Sequence, residues 1–130
     1  SLSYRSVDEF EYIYIFWKPG VTVIDRSRLT PREWVEWGSR GVWYFHSVRA
    51  NYKHEAMFPL ELPRRLILLF TDKGDTVLDC FVGSGTTAIA AIRTQRNFIG
   101  IDKEKTYVDM SQKACDDELR QMRLNQTISR

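Results

Sequence analysis

The stretch TVLDCFVGSGTTAIAAIRTQRNFIGID, residues 76–102, predicts the fold of this chain. It begins as a short apolar strand, passes through a glycine turn into an alanine-rich helix, and ends as a second strand followed by an aspartate. Gly83 and Gly85 suit the turn, because glycine tolerates positive φ and presents no Cβ to a ligand. The helix that follows directs its first amides and the positive end of its dipole toward the same place. This order is typical of a nucleotide-binding site in a parallel α/β sheet.

The residues around the turn narrow the choice of nucleotide. A P-loop requires a lysine after its last glycine, and none follows Gly85, which disfavours nucleoside triphosphate hydrolysis. The sequence GSGTTA fits the pattern G-x-G-x-x-G/A, so a dinucleotide cofactor is admissible. Asp79 would repel a pyrophosphate but suits the ammonium group of an amino-acid ligand, and it could equally tie down a loop amide. S-adenosylmethionine suits both Asp79 and Asp102, whose carboxylate can accept the two hydroxyls of a ribose.

Before residue 60 the pattern predicts a strand, a short helix and a loop. Residues 11–20 form a dense β-branched and aromatic run, which predicts a buried strand. Thr30 can cap a short helix in which Pro31 takes the first position and Glu33 answers the cap. Residues 42–58 alternate poorly and predict a short strand followed by an irregular loop.

From residue 60 the pattern becomes regular. An apolar helix with the body RRLILLF leads to a strand at 76–81 that is apolar on both faces, as in the middle of a parallel sheet. A helix at 86–93, a strand at 97–101 and a long helix from about residue 104 follow. The order helix, strand, helix, strand, helix predicts an α/β fold with half of a doubly wound sheet.

The net charge of +2 hides an uneven distribution. Residues 18–65 carry nine basic and five acidic side chains, whereas residues 66–130 carry nine of each. A basic middle segment would attract a polyanion, although a solvated protein face could have the same composition.

The remaining totals bound the class of protein. The chain has 130 residues, of which 43% are hydrophobic, and this predicts one domain with one core. Two cysteines without a CxxC or a metal-ligand spacing predict reduced thiols and no metal site. No run approaches the roughly 20 apolar residues of a membrane span, and the N-terminus has no signal-peptide core. We therefore expect a cytoplasmic protein with no membrane partner.

The opening stretch resembles a known family. LDCFVGSGTT, residues 78–87, looks like the D-P-F-x-G-S-G-T-T cofactor motif of the DNA amino-methyltransferases, which methylate adenine N6 or cytosine N4; Cys80 replaces the usual proline. HEAMFP, residues 54–59, is similar to the H-x-A-x-F-P segment of the circularly permuted beta-class group, and residues 96–102 resemble its next strand and ribose-binding acid. The resemblance covers nearly the whole chain. It implies a Rossmann-like S-adenosylmethionine-dependent methyltransferase fold with a partial doubly wound sheet.

The resemblance implies roles for individual residues. Asp79 would lie near the methionine end of S-adenosylmethionine, and Asp102 would hold the ribose. A target-recognition region at residues 21–53 would contact double-stranded DNA, and a cofactor-binding half would span residues 54–130 of the single domain 1–130. The implied cofactor site consists of His54, Phe58, Pro59, Asp79, Phe81, Gly83, Ser84, Gly85, Thr86, Thr87 and Asp102. The implied DNA contacts are Arg26, Arg28, Arg32, Arg40 and Lys53. Four aromatic side chains could stack on bases, namely Trp34, Trp37, Trp43 and Tyr44, although aromatic residues at helical spacing more often belong to the core.

The family's catalytic tetrapeptide, D-P-P-Y or S-P-P-Y, occurs nowhere in these 130 residues. In the family it binds the target amino group and stacks the flipped base, so that the amine can attack the methyl donor. The resemblance therefore implies the C-terminal portion of the enzyme, with no catalytic residue in this chain. A sheet that lacks its catalytic strand exposes apolar edges. We expect a second polypeptide, a missing N-terminal segment or self-association to cover them.

Two alternatives stay open at the level of sequence. A non-catalytic DNA-binding or regulatory module could keep this fold without the chemistry. A fragment of a nicotinamide-dependent oxidoreductase would use the same glycine turn, although nothing outside the turn favours it. The choice between adenine and cytosine depends on the tetrapeptide that these residues lack.

Overall fold

A computed structural model describes residues 10–20, 24–45 and 58–128. It confirms the predicted order of helices and strands after residue 60. In the described part of the chain, no helix is long and apolar enough to cross a membrane. In chain order the elements are a 3₁₀ turn at Arg26–Arg28, α1 at Pro31–Glu33, a π-helical turn at Trp34–Gly38 that continues α1, α2 at Glu61–Phe70, β1 at Thr76–Asp79, α3 at Thr86–Arg93, β2 at Asn97–Gly100 and α4 at Lys105–Ile128.

The two strands lie side by side in parallel. Their register runs from Thr76 opposite Asn97 to Asp79 opposite Gly100. A parallel pair requires a crossover connection, and α3 supplies it. Both strands therefore end at the same edge of the sheet, which is where α/β folds bind their ligands.

One face of this sheet is packed against helices. Val77 of β1 and Phe98 of β2 contact a buried cluster formed by Ile67 of α2 with Ala90 and Ala91 of α3. The small alanine side chains let α3 approach the sheet closely, and α2 packs beside α3. This cluster is the core that holds the glycine turn at the edge of the sheet.

The opposite face of the sheet is open. Leu78 and Ile99 point away from the packed cluster and are 58% and 53% exposed. The sequence predicted a strand that is apolar on both faces, as in the middle of a parallel sheet, but only one of these faces is covered by the described residues. The apolar composition remains that of a strand with two packed faces.

The predicted buried strand at residues 11–20 is not found. Every residue from 10 to 20 is exposed, and none belongs to a strand of the described part of the chain. Phe16 is the extreme case, with 89% of its surface accessible. An apolar run becomes a buried strand only when neighbouring strands satisfy its amides and carbonyls, and the described residues place no such neighbour beside it.

The predicted helix start at Thr30 is confirmed. The Thr30 hydroxyl accepts a hydrogen bond from the Glu33 amide at 3.2 Å, and the Glu33 carboxylate accepts one from the Thr30 amide at 2.9 Å. A proline occupies the first turn, as predicted. The helix carries Trp37 into a second buried cluster with Leu29 and Leu69. The short strand predicted next is absent from residues 42–45, and residues 46–57 lie outside the described residues.

Ion pairs attach residues 24–45, here called the N-terminal segment, to the α/β part of the chain. The Arg28 guanidinium binds both carboxylate oxygens of Asp72, at 2.6 and 2.8 Å. That hydrogen-bonded pairing lowers the pKa of Asp72. Glu33 pairs with Arg64 of α2 at 2.5 Å. The N-terminal segment is therefore held to α2 and to the loop after it by charge as well as by apolar packing.

Arg96 is a buried cation directly before β2. The residue is 7% exposed, and burial lowers its pKa. Its Nε donates to the Thr71 hydroxyl at 3.0 Å, and its two terminal nitrogens donate to the carbonyls of Thr71 and Thr94, each at 2.5 Å. Thr71 follows α2 and Thr94 follows α3, so one guanidinium joins the ends of both helices.

The pair formed by Arg93 and Glu118 makes stability depend on pH. Its two hydrogen bonds, of 2.8 and 2.9 Å, join α3 to α4, and the hydrogen bond from Arg93 lowers the pKa of Glu118. A carboxylate whose pKa is lower in the folded state stabilises the fold above its unfolded pKa, and this contribution is lost as the pH falls through the folded pKa. We expect Glu118→Gln to lower the free energy of unfolding by roughly 1 kcal/mol at pH 7. The difference should vanish near pH 2 in thermal melts followed by circular dichroism.

Arg93→Gln is the matched variant for this experiment, because it removes the other half of the same pair. Like Glu118→Gln, it should lose less free energy of unfolding between pH 7 and pH 2 than the unmodified chain loses. The assignment would be contradicted if the free energy of unfolding fell by the same amount from pH 7 to pH 2 in the unmodified chain and in both variants.

Candidate functional site

The glycine turn joins β1 to α3 with two residues in the left-handed region. Gly83 has φ +51° and Gly85 has φ +97°, values that side chains other than glycine rarely adopt. The Gly85 amide donates to the Val82 carbonyl at 2.9 Å, and the Val82 amide donates to the Ile101 carbonyl at the same distance. The turn is therefore fixed to the end of β2 as well as to β1.

The start of α3 offers amides that no side chain caps. Gly85 occupies the N-cap position and has no side chain to donate or accept. The first amides of a helix have no partner within the helix itself, and they carry the positive end of its dipole. Ser84, Thr86 and Thr87 are half-buried around this point. The arrangement suits an electron-rich group of a ligand.

Asp102 follows β2 and faces the glycine turn. Its Oδ2 accepts a hydrogen bond from the Gly83 amide at 3.0 Å, and its Oδ1 accepts one from the Glu104 amide at 2.9 Å. Each carboxylate oxygen can accept a second hydrogen bond, so the capacity to bind a ribose is kept. The sequence did not predict that the same carboxylate also anchors the turn.

Asp79 ends β1 beside Gly100 of β2. Its Oδ1 accepts a hydrogen bond from the Phe81 amide at 2.9 Å, and its backbone carbonyl accepts one from the Ile101 amide at 2.8 Å. The loop-tying role considered from the sequence is therefore present, and the second carboxylate oxygen can serve a ligand. The Phe81 ring next to it is 89% exposed, a position from which it can cover a bound molecule.

The segment predicted to cover the methionine end is described only in part. Phe58 is exposed and Pro59 is half-buried immediately before α2, where the Pro59 carbonyl accepts a hydrogen bond from the Leu62 amide at 3.0 Å. His54 lies outside the described residues, as does Lys53 of the predicted DNA contacts. The structure thus brings Asp79, the glycine turn and Asp102 together, and it does not test His54.

The predicted DNA contacts differ in their surroundings. Arg26, Arg32 and Arg40 are exposed on the N-terminal segment; Arg32 pairs with Glu36 of the same helix. Arg28 is different, since its guanidinium binds Asp72 and also donates to the Leu69 carbonyl at 3.2 Å. The structure gives Arg28 a role in holding the fold that the sequence did not indicate.

Most of the aromatic side chains that could stack on bases are instead packed against other parts of the protein. Trp37 is buried, and the Trp43 indole nitrogen donates to the Trp37 carbonyl at 2.9 Å. Arg65 of α2, which the sequence did not single out, lies over the rings of Trp37 and Trp43 and closest, at 4.8 Å, over that of Phe45. Of the aromatics proposed to stack on bases, Tyr44 has the most accessible ring, at 88%. The sequence offered one signal for Arg65: it lies four residues after Glu61, the spacing at which two oppositely charged side chains of a helix can pair, and the two do pair.

Metal-ligating and thiol side chains are the other groups of chemical interest in the described residues. In the ranges 10–20, 24–45 and 58–128, no group of three or more histidine, cysteine, aspartate or glutamate residues could hold a metal ion. Cys80 is exposed next to Asp79, and Cys115 of α4 has its pKa raised by burial. Both thiols are free.

Comparison with known proteins identifies the family. The family model described as a DNA methylase, of the N6/N4 type, matches residues 3–113. The Type II methyltransferase M.BglI of Bacillus subtilis is 65% identical over 113 residues, which make up 87% of this chain and 32% of that protein. The Type II methyltransferase M.MjaI of Methanocaldococcus jannaschii is 38% identical over 109 residues, covering 75% of this chain and 36% of that protein. The chain spans about a third of the length of these relatives.

A solved structure supports the same assignment. TTHA0409 of Thermus thermophilus, described as a candidate DNA modification methylase and solved in complex with S-adenosyl-L-methionine, is 31% identical with a TM-score of 0.56; the match covers 79% of this chain and 40% of that one. This likeness confirms the predicted Rossmann-like methyltransferase fold. With its glycine turn between two strand-end acids, and with a family match over most of its length, the chain belongs to the DNA adenine-N6 and cytosine-N4 methyltransferases.

Proposed function

We propose that this chain is the part of a site-specific DNA adenine-N6 or cytosine-N4 methyltransferase that binds S-adenosylmethionine and recognises the target DNA. The observation that carries the proposal is the placement of Asp79 and Asp102 at the ends of two paired strands, on either side of the Gly83–Gly85 turn. A ligand with an ammonium group at one end and a ribose at the other suits two acids on either side of the turn, whereas a pyrophosphate would be repelled by Asp79. S-adenosylmethionine supplies the methyl group when it is bound.

The residues of the site divide the work of binding. Asp102 accepts the ribose hydroxyls with the oxygen lone pairs that the Gly83 and Glu104 amides leave available. The second carboxylate oxygen of Asp79 accepts the ammonium group. Phe81, next to the turn, and Phe58, just before α2, are both exposed, and we assign them to excluding water from the bound molecule. His54 and Pro59 belong to the same proposed site.

DNA recognition is assigned to the N-terminal segment. Arg26, Arg32 and Arg40 are exposed cations within the basic part of the chain, and guanidinium groups bind phosphate oxygens well. The exposed ring of Tyr44 adds a surface on which a base can stack. Since the substrate is cellular DNA, a cytoplasmic location is part of the same proposal.

Activation of the target amino group is assigned to residues outside this chain. The D-P-P-Y or S-P-P-Y sequence is absent from the 130 residues, and the described part of the chain has an open sheet face at Leu78 and Ile99. We therefore propose that another segment or a second polypeptide supplies the catalytic groups. A methyl-transfer assay on unmethylated DNA, with the chain alone and with a polypeptide carrying that sequence, tests this assignment. Turnover by the chain alone would contradict it.

Calorimetric titration with S-adenosylmethionine tests the cofactor assignment. The proposed site would be supported if S-adenosylhomocysteine competes with S-adenosylmethionine for binding and NADH does not. A folded chain that gives no heat with millimolar S-adenosylmethionine would overturn cofactor binding. Binding of both cofactor and DNA without turnover in any combination would instead favour a non-catalytic regulatory module.

We expect the double variant Arg32→Gln/Arg40→Gln to bind duplex DNA more weakly and with a smaller dependence on salt. Each lost phosphate contact lowers the slope of log K against log salt by about 1, so the slope should fall by about 2. Fluorescence anisotropy with a labelled duplex at several salt concentrations measures it. The control Lys105→Gln/Arg123→Gln removes the same charge from α4, away from the N-terminal segment, and should leave most of the slope. Equal slopes for the two double variants would remove the assignment to the N-terminal segment.

A further inference from the structure

The glycine turn rests directly on α4. A Cβ built at Gly85 would lie 3.1 Å from both the Cα and the Cβ of Ser111, and 3.6 Å from the Ser111 carbonyl oxygen. A separation of 3.1 Å is tighter than nine in ten Cβ contacts in proteins, whereas 3.6 Å is an ordinary van der Waals contact. The backbone at the start of α3 therefore approaches the backbone of α4 closely at Ser111.

Ser111 is buried for a reason unrelated to its hydroxyl. The residue is 8% exposed, and its Oγ donates to the Val108 carbonyl one turn earlier, at 3.0 Å. Its polar group is thus satisfied inside its own helix. What Ser111 presents to Gly85 is a small side chain on a closely approaching backbone, and extra volume in a tightly packed contact displaces its neighbours.

Helix α4 controls the turn at a second point. Asp102 accepts the Gly83 amide with one oxygen and the Glu104 amide with the other, directly before α4 begins at Lys105. The Arg93 and Glu118 pair fixes α4 against α3 further along. Ser111 therefore lies between these two points of attachment, in contact with the residue that precedes α3.

We infer that Ser111 is a positioning residue of the S-adenosylmethionine site, acting through the backbone of Gly85. This inference rests on the proposed cofactor-binding function. A larger residue at position 111 displaces the turn from Asp102, so the ligand cannot engage the acid and the helix amides together. Binding of the cofactor is therefore sensitive to the size of residue 111 and insensitive to the loss of its hydroxyl.

The test compares variants of the whole chain by calorimetry with S-adenosylmethionine. Ser111→Leu should raise the Kd about tenfold or more, since a shift of about 1 Å in a binding group has large effects. Ser111→Ala keeps the Cβ and should bind like the unmodified chain. Gln112→Leu makes a larger apolar change at an exposed neighbour on α4 and should also bind normally. Ser111→Thr adds one methyl group, keeps the hydroxyl, and should weaken binding in the same direction if Ser111→Leu does not fold.

A second measurement separates this inference from the proposed function. The amide resonances of Gly83 and Gly85 in nitrogen–proton spectra should shift in Ser111→Thr and stay in place in Gln112→Leu, without any ligand. Unshifted resonances, or an unchanged Kd in a folded Ser111→Thr or Ser111→Leu chain, would overturn the positioning role. Absence of binding by the unmodified chain, with shifted resonances in Ser111→Thr, would instead overturn the proposed cofactor and leave Ser111 holding the turn for another ligand.

Discussion

We expect Arg96→Ala to lower the free energy of unfolding by about 3 kcal/mol, because its guanidinium is buried and donates three hydrogen bonds. The substitution leaves the carbonyls of Thr71 and Thr94 without this donor, and it opens a cavity between the ends of α2 and α3. Urea denaturation followed by circular dichroism measures the loss. Arg96→Lys should recover only part of it, since a single ammonium group cannot span both carbonyls and the hydroxyl.

Arg123→Ala is the matched control for Arg96→Ala. Arg123 lies on the exposed side of α4, and its replacement should change the free energy of unfolding by less than about 0.5 kcal/mol. An effect of Arg96→Ala no greater than that of Arg123→Ala would show that the buried guanidinium does not hold the helix ends together.

We expect Asp102→Ala to weaken the binding of S-adenosylmethionine by about 1–3 kcal/mol, which corresponds to a roughly 5- to 150-fold increase in Kd. Two losses contribute. In the proposed site the ribose hydroxyls lose their acceptor, and the Gly83 amide loses the carboxylate oxygen that it contacts at 3.0 Å. Asp102→Asn should be nearly as damaging, because its amide nitrogen would face the N–H group of either Gly83 or Glu104. Calorimetric titration of the three proteins measures the series.

A second pair of ligands separates the two contributions of Asp102. Adenosine and 2′,3′-dideoxyadenosine differ only in the ribose hydroxyls, so a preference of the unmodified chain for adenosine should disappear in Asp102→Ala. Asp109→Ala removes a carboxylate from the exposed face of α4 and should keep that preference. A preference that survives in Asp102→Ala would leave Asp102 with the turn-anchoring role alone.

The parts of this molecule that the sequence predicted are those specified locally. The capping box at Thr30 is a contact between residues three positions apart, and the α3 boundaries follow from Gly85 and the alanine run after it. The parallel pairing of β1 and β2 follows from a short crossover helix, which leaves the strands few other arrangements. Asp79 and Asp102 were predicted at strand ends, and the register then brings those ends together.

The parts that the sequence did not predict depend on contacts between distant segments. The apolar run at 11–20 has the composition of a core strand, but composition does not supply a partner for its backbone. The sequence assigned Arg28 to DNA binding, whereas in the structure its guanidinium binds Asp72, which lies 44 residues away in the chain. The sequence left Trp37 and Trp43 open between stacking on bases and packing in the core, and the contact of both rings with Arg65 of α2 places them in the packed part of the protein. Each of these differences arises because a side chain that can bind a ligand also binds well within the protein.

The attachment of the N-terminal segment to α2 sets a rule for building chimeras among these methyltransferases. Exchanging residues 24–45 for the corresponding segment of a relative, as a test of the proposed DNA recognition, also exchanges the partners of Arg64, Arg65 and Asp72. These three side chains lie outside the transplanted segment, on α2 and just after it. A graft that carries its own versions of them retains its docking surface. A graft that exchanges residues 24–45 alone packs against the Arg64, Arg65 and Asp72 of the recipient chain, which are not its own partners.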